Sequence, residues 1–383
     1  MKHKLKTFWL LFLLFPLQVF AQISVTGTVT DANNIQPIPY ATIYVNGTTT
    51  GTITNTSGQF TLERVIPPCV IVFSHISYET VVISFDLNSE ANINVELKPR
   101  DLLLGDVEVT DKNLREENLR HFKERFLGTD YWGKHAYFEN DSVLVFRREK
   151  VKDRADYEHE FGLLETDSTS FWFTVNTKGP LLVQMPLLGY KLHVNLIHYT
   201  ELRTNAKKEY EFHTLGYFYF LPTEKASKRK TNRFRKKRLK VYYNSDRHFL
   251  SSLYRDQLEE NGYIVLYSDF NPEAERYEFK EFDLDKYIIR SGNEAKIVGI
   301  KNKSFIIEYF EKFNCPVNLI VRKEVGIPLS PDMVLSKIYF LKDTCTIRAD
   351  GSRPDNSIMF GTKIGDKRVG AMLPYDFRSE NVK

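Results

Sequence analysis

The chain has 383 residues, with 53 Lys and Arg against 49 Asp and Glu and a formal net charge of +4. Lys2, Lys4 and Lys6 precede an apolar run; setting them aside takes 53 to 50 against 49, so overall charge favours neither nucleic acid nor an acidic partner. The length exceeds one small core and predicts two or more domains, and 21 Tyr and 28 Phe against 5 Met favour strands over helix bundles.

Residues 1–21 read as a cleavable signal peptide. The three lysines form a positive start, Thr7 to Phe20 is almost wholly apolar, and Val19 and Ala21 place small residues where a signal peptidase reads. The run is shorter than the roughly 20 residues that span a bilayer as a helix, and it contains Pro16. No later run is long enough for a transmembrane helix, and the charged segments 147–160 and 224–240 weigh against a transmembrane barrel. The first cysteine is Cys69, so none follows the cleavage point to take a lipid. The expectation is an exported protein of the periplasm, the outer membrane or the cell surface.

Residues 22–98 alternate as an all-β module, with strands predicted at Ile23–Val29, Ala41–Val45, Gly51–Thr54, Gln59–Leu62, Val70–Ser74, Val81–Phe85 and Asn92–Leu97. Turn residues separate most of them: Asp31-Ala32-Asn33-Asn34, Asn46-Gly47, Asn55-Thr56-Ser57-Gly58 and Pro67-Pro68. Seven short strands at that spacing predict a Greek-key β-sandwich. Gly47 and Gly58 sit where tight hairpins need φ > 0, Asn55 suits an Asx turn, and Pro39 suits the first position of a strand.

Residues 99–111 read as a linker. Residues 112–383 follow as a larger α+β domain. After an Asp111 cap, Leu114, Leu119, Phe122 and Phe126 make the apolar face of a helix that stops at Gly128. Strands are predicted at Ser142–Arg147, Ser170–Asn176, Lys191–Ile197, Glu211–Phe220, Tyr263–Tyr267, Ser304–Tyr309, Leu319–Arg322 and Leu335–Leu341. A second helix begins at the Ser245 cap, buries Phe249, Leu250, Leu253, Tyr254 and Leu258, and stops at Asn261-Gly262.

The ordered pieces Gly27-Thr28-Val29-Thr30-Asp31, Pro37-Ile38-Pro39-Tyr40-Ala41-Thr42-Ile43-Tyr44-Val45, Gly47 to Asn55, Gly58-Gln59-Phe60-Thr61-Leu62 and Phe73-Ser74-His75-Ile76-Ser77-Tyr78-Glu79 resemble a carboxypeptidase regulatory-like domain. Ser77 stands where that family usually has glycine. The resemblance implies a transthyretin-like sandwich of the kind that opens many outer-membrane receptors of Bacteroidetes-type bacteria. Phe126-Leu127-Gly128, Leu188-Gly189-Tyr190-Lys191, Tyr242-Tyr243-Asn244-Ser245, His248-Phe249-Leu250 and Arg368 to Pro374 are similar to parts of a secreted Bacteroidetes family that follows this sandwich with a domain of unknown activity. That resemblance implies no catalytic residues.

The residues themselves offer few catalytic patterns. His121-Phe122-Lys123-Glu124 and His198-Tyr199-Thr200-Glu201 have the His-x-x-Glu spacing of a metallopeptidase, and His135, His159, His193, His213 and His248 supply a third ligand by count alone. On the first helix Phe122 faces the core, which turns His121 and Glu124 to solvent; on a strand, i and i+3 face opposite ways. No serine elbow or phosphate loop is present. Glu158, Glu160, Asp283 and Asp285 read as solvated faces. No cofactor is implied. Cys315 and Cys345 flank two predicted strands and either bridge outside the cytoplasm or remain buried thiols with Cys69.

The strongest charge feature is a run with only Glu224 to offset it: Lys225, Lys228, Arg229, Lys230, Arg233, Arg235, Lys236, Lys237, Arg238 and Lys240. It reads either as a solvated surface paired in part with the acids between Asp256 and Asp285, or as a surface for an anionic partner. Phe234 is its one aromatic, which is poor for nucleic-acid stacking. The sequence therefore points to a non-enzymatic cell-envelope protein with a docking or spacer sandwich and a partner- or glycan-binding C-terminal domain. The candidate partners are an envelope protein, a glycan or anionic lipid head groups. The alternative is a peptidase-like hydrolase with its site in residues 112–383.

Overall fold

The computed structural model describes residues 23–100, 112–151, 157–159, 162–164, 170–203, 210–223, 227–271, 276–301, 303–309, 334–354, 357–365 and 367–379. It is mainly β. The chain divides into two compact units, residues 1–46 with 50–102 and residues 47–49 with 103–383.

The first unit is a sandwich of seven strands, β1 (Ile23–Asp31), β2 (Thr42–Val45), β3 (Gly51–Ile53), β4 (Gln59–Val65), β5 (Cys69–Ser74), β6 (Val81–Phe85) and β7 (Val95–Leu97). One sheet runs β4-β1-β7 and the other β3-β2-β5-β6. Alternation drives the pairing: Val25 and Val29 of β1 and Phe60 and Leu62 of β4 turn inward to meet Ile43, Ile71 and Phe73. Phe60 and Phe73 meet edge to face, with centroids 5.6 Å apart. Gly27 is required by close approach, because a Cβ there would lie 1.8 Å from the Ile93 carbonyl oxygen. Gly47 and Gly58 have the positive φ expected of their turns, and the Asn55 carboxamide oxygen accepts from the Ser57 and Gln59 N–H groups, both at 2.9 Å. Pro39 departs from expectation. It lies in a turn ahead of β2, because Tyr40 takes a left-handed φ of 59° that interrupts the strand. Asp31 Oδ1 accepts from the Asn33 and Asn34 N–H groups at 2.7 and 3.3 Å, and its Oδ2 accepts from the Tyr78 hydroxyl at 2.9 Å. Led by the Asn33 bond, these contacts hold its carboxyl below the usual range.

The second unit opens with α1 (Lys112–Leu127) and α2 (Tyr131–His135), then β8 (Tyr137–Phe138), β9 (Leu144–Lys150), β10 (Tyr157–His159), β11 (Gly162–Leu164), β12 (Phe171–Thr177), β13 (Leu181–Met185), β14 (Tyr190–Arg203) and β15 (Tyr210–Pro222). β14 organises a six-stranded sheet. It pairs with β13 through Tyr190–Val194, with β12 through Thr200–Arg203, and with β15 along nearly its whole length. Its inward residues and α1 build the first core of this unit, in which Phe122 stacks on Phe126 and meets Tyr199 edge-on, both at 4.9 Å. Val369, Ala371 and Leu373 complete that core.

Two helices follow, α3 (Lys228–Tyr242) and α4 (Asp246–Tyr254). The remaining strands are β16 (Tyr263–Asn271), β17 (Arg276–Glu281), β18 (Ile288–Ser291), β19 (Glu294–Val298), β20 (Lys303–Tyr309), β21 (Val334–Phe340), β22 (Thr344–Arg348) and β23 (Ile358–Gly361), with a single helical turn, α5 (Thr362–Gly365). They form a β17-β16-β20-β21-β23 sheet and a β18-β19-β22 sheet. Between them a second core gathers Phe249, Leu250 and Leu253 of α4 with Ile297, Phe305, Ile307, Ile338, Phe340 and Ile347. Buried Arg247 ties α4 to two other segments, donating to the Asp350, Pro374 and Tyr375 carbonyls.

α4 begins at the expected Ser245 cap, whose hydroxyl accepts from the His248 N–H, but it ends at Tyr254 rather than at Asn261-Gly262. Asp256 there takes a left-handed φ of 55°. The predicted strand at Leu319–Arg322 lies outside the described residues. Cys69 and Cys345 are buried, and the Cys345 thiol faces the Ser357 carbonyl; Cys315 lies outside the described residues. No helix among the described residues is long and apolar enough to cross a membrane.

Candidate functional site

The basic run folds as a helix, which the sequence pattern did not reveal. α3 carries nine Lys and Arg in fifteen residues and no acid: Lys228, Arg229, Lys230, Arg233, Arg235, Lys236, Lys237, Arg238 and Lys240. Such a helix repels itself, since like charges three or four apart cost a few tenths of a kcal/mol per pair. It holds because its ends are capped and one side is anchored. The Ser227 hydroxyl accepts from the Lys230 N–H, and the Lys367 ammonium donates to the Val241 and Tyr243 carbonyls at 3.0 and 2.9 Å. Burial lowers the Lys367 pKa to about 8, against the pull of Asp246 and Asp130.

Phe234, Val241 and Tyr242 form the buried side of α3. Phe234 packs on Gly189, where a Cβ would come within 2.4 Å of its ring; Gly189 also has a φ of 68°. Arg238 belongs to this anchor and not to the outer surface. Its guanidinium lies 3.8 Å over the Tyr190 ring and donates to the Leu188 and Gly189 carbonyls. Burial lowers its pKa, while the Tyr190 and Asp376 charges oppose that shift. The resemblance-bearing Leu188-Gly189-Tyr190 segment is thus the seat of α3.

Most of the other cations point outward. Lys228, Arg229, Lys230, Arg233, Lys236 and Lys240 are exposed, and Arg235 and Lys237 are half-buried; Lys225 lies outside the described residues. At about 100° per residue, Arg229, Arg233, Lys236 and Lys240 fall within about 60° of arc, a stripe roughly 16 Å long. Among the described residues no carboxylate forms an ion pair with these four. Two of the acids expected to offset them pair elsewhere, Asp283 with Lys286 and Asp285 with Arg290.

The two His-x-x-Glu spacings meet in an unexpected way. His121 of the first pairs with Glu201 of the second, Nε2 to Oε2 at 2.8 Å, and Arg125 Nε lies 3.3 Å from the other carboxylate oxygen. His121 therefore faces the sheet and not solvent: α1 lies broadly enough on β14 and β12 that the residue beside Phe122 is covered, and its ring meets Phe173. Glu124 is exposed. Glu201 is fully buried and also accepts from the Tyr199 hydroxyl at 3.1 Å. Burial raises its pKa, but the His121 bond and charge, the Arg125 charge and the Tyr199 bond outweigh it and leave the carboxyl below its ordinary value. Burial and the Glu201 charge push the Tyr199 phenol up.

His198 stays on the exposed side and bonds the Thr200 hydroxyl at 2.7 Å. His248 is buried in the second core against the Tyr263 hydroxyl at 2.7 Å. The side chains of His159, His213, Glu158 and Glu160 fall outside the described residues. Among the described residues, no three His, Cys, Asp or Glu side chains gather as a metal set.

Residues 25–109 match the family model of the CarboxypepD_reg-like domain, so the chain carries a domain of that family. Two similar solved structures are a 9R-lipoxygenase from Cyanothece PCC8801 and a putative membrane-associated protein of unknown function from Bacteroides fragilis NCTC 9343. The first is 9% identical with a TM-score of 0.17, over 61% of this chain and 48% of that one. The second is 12% identical with a TM-score of 0.17, over 52% of this chain and 95% of that one. The chain thus spans about half the length of the lipoxygenase, and similarity at this level defines neither fold nor activity. The curated proteins contain no match.

Proposed function

We propose that this is a non-enzymatic cell-envelope protein in which the CarboxypepD_reg-like sandwich is a docking or spacer module and the second unit binds an anionic partner through α3. Export by residues 1–21 belongs to the same reading. The observation that carries it is the stripe Arg229, Arg233, Lys236 and Lys240: four exposed cations on an acid-free helix seated by its opposite side. Charge so arranged costs the helix stability and yields a surface of one sign, which is what capture of an anion requires. The hydrolase alternative draws on the His121–Glu201 contact. That pair is instead a tie between α1 and β14, with its carboxylate fully buried among Arg125, Tyr199 and the histidine.

Retention on an immobilised sulfated polysaccharide tests the reading. The full chain is expected to elute at higher salt than a variant carrying Arg229→Gln, Arg233→Gln, Lys236→Gln and Lys240→Gln. Equal elution of the two proteins overturns it.

A further inference from the structure

We infer that the anionic partner of α3 is a phospholipid surface, met by the helix lying flat with its cationic stripe on the head groups. This rests on the reading of α3 as an anion-binding element and names its ligand. Three observations favour lipid over other polyanions. The outward cations form a straight row on a convex helix: Arg229, Arg233, Lys236 and Lys240 along the crest, with Lys228 and Lys230 beside them, all exposed. A planar array of phosphates meets such a row in any register, whereas a single chain of anions must follow it.

The charged groups on that face are all donors, because lysine and arginine side chains accept no hydrogen bond; Asn232 is the exposed acceptor on α3 nearest the stripe. Sugar hydroxyls need acceptors as well as donors, and phosphate needs donors alone. Both aromatic rings of α3, Phe234 and Tyr242, are buried, so no platform remains for stacking a sugar or a base. The apolar side is likewise committed, to Phe234, Val241 and Tyr242 in contact with the fold. The helix therefore does not insert; it adsorbs by charge and is released by salt.

Co-sedimentation of the full chain with phosphatidylcholine vesicles, with and without about 30 mol % phosphatidylglycerol, is the test. The wild type is expected to sediment only with the phosphatidylglycerol vesicles, and to come off as salt rises from about 0.1 M to about 0.5 M. Each head-group cation contributes about fivefold, so the quadruple glutamine variant should lose about 600-fold in partitioning. A control with Lys112→Gln and Arg120→Gln, exposed residues on α1, should change less than about twofold. Circular dichroism and the thermal midpoint establish that the variants are folded. Equal sedimentation with both vesicle types, or equal losses in the quadruple and control variants, overturns the lipid assignment. Retention on sulfated polysaccharide through α3 without binding to phosphatidylglycerol vesicles refutes lipid and leaves the anion-binding reading standing. Failure to bind either refutes both.

Discussion

Among the described residues Glu201 is the one fully buried carboxylate that joins α1 to the β14 sheet, and Glu201→Gln tests how much that tie stabilises the fold. Removing one member of a buried pair costs about 3–5 kcal/mol when the remaining charge is fully sealed. Here the sealing is partial, since the His121 and Arg125 side chains keep 11% and 27% of their exposure and regain some water. Glutamine also keeps the shape and an acceptor for the Tyr199 hydroxyl. The expected loss is therefore about 2–3 kcal/mol, below the sealed limit. Urea unfolding followed by the fluorescence of Trp132 and Trp172, whose chains flank the first core, reads it as a lower midpoint with an unchanged slope.

The acid limb adds a second readout. The folded pKa of Glu201 lies below its ordinary value of 4.5, so its stabilisation is complete above that value and is lost as pH falls through the folded pKa. The glutamine variant should lack that part of the acid limb. A loss under about 0.5 kcal/mol, which is the size of an exposed surface pair, with an unchanged acid limb refutes the reasoning.

Gly189→Ala should unseat α3, because its Cβ would meet the Phe234 ring at 2.4 Å in a left-handed backbone; a stability loss of about 2 kcal/mol or more and weaker polyanion retention are expected by calorimetry and chromatography. Tyr78→Phe should raise the Asp31 pKa toward 3.8 without reaching it, since the Asn33 N–H bond remains; the sandwich then loses stability at slightly higher pH on acidification, as carboxyl NMR titration of the full chain would show. In a Cys315→Ser variant, Cys69 and Cys345 should resist a thiol reagent in the native protein and both react in denaturant, because both are buried.

The sandwich was legible because its strands alternate and its turns carry their own residues; Asn55 and Gly58 mark one hairpin before any partner strand is known. The start of α4 was legible for the same local reason, a cap and an apolar stripe, and α1 from its apolar stripe; the expected Asp111 cap lies outside the described residues. α3 was not. Nine cations leave only Phe234, Val241 and Tyr242 to show a period, and what seats the helix is Gly189, forty-five residues before the Phe234 that packs on it. The tie between His121 and Glu201 spans eighty positions, and each residue had an adequate local explanation without the other. Short strands such as β18, β19 and β22 carry too few residues to announce a face, and they acquire one only when paired around Ala295, Ile297, Cys345 and Ile347.

The segment Val369–Leu373 gives the first core a particular place in time. Phe122 and Phe126 are made early, yet the core they belong to is sealed by Val369, Ala371 and Leu373, and the intervening residues build a second core on the way. On the ribosome, or during any passage from one end of the chain to the other, α1 and the β14 sheet must wait with an open apolar side while about 150 later residues emerge after β15. The second core has no such debt, since its helix and strands lie between Asp246 and Ile364. The order of folding within this unit should therefore run against the order of synthesis, with the later-made core closing first.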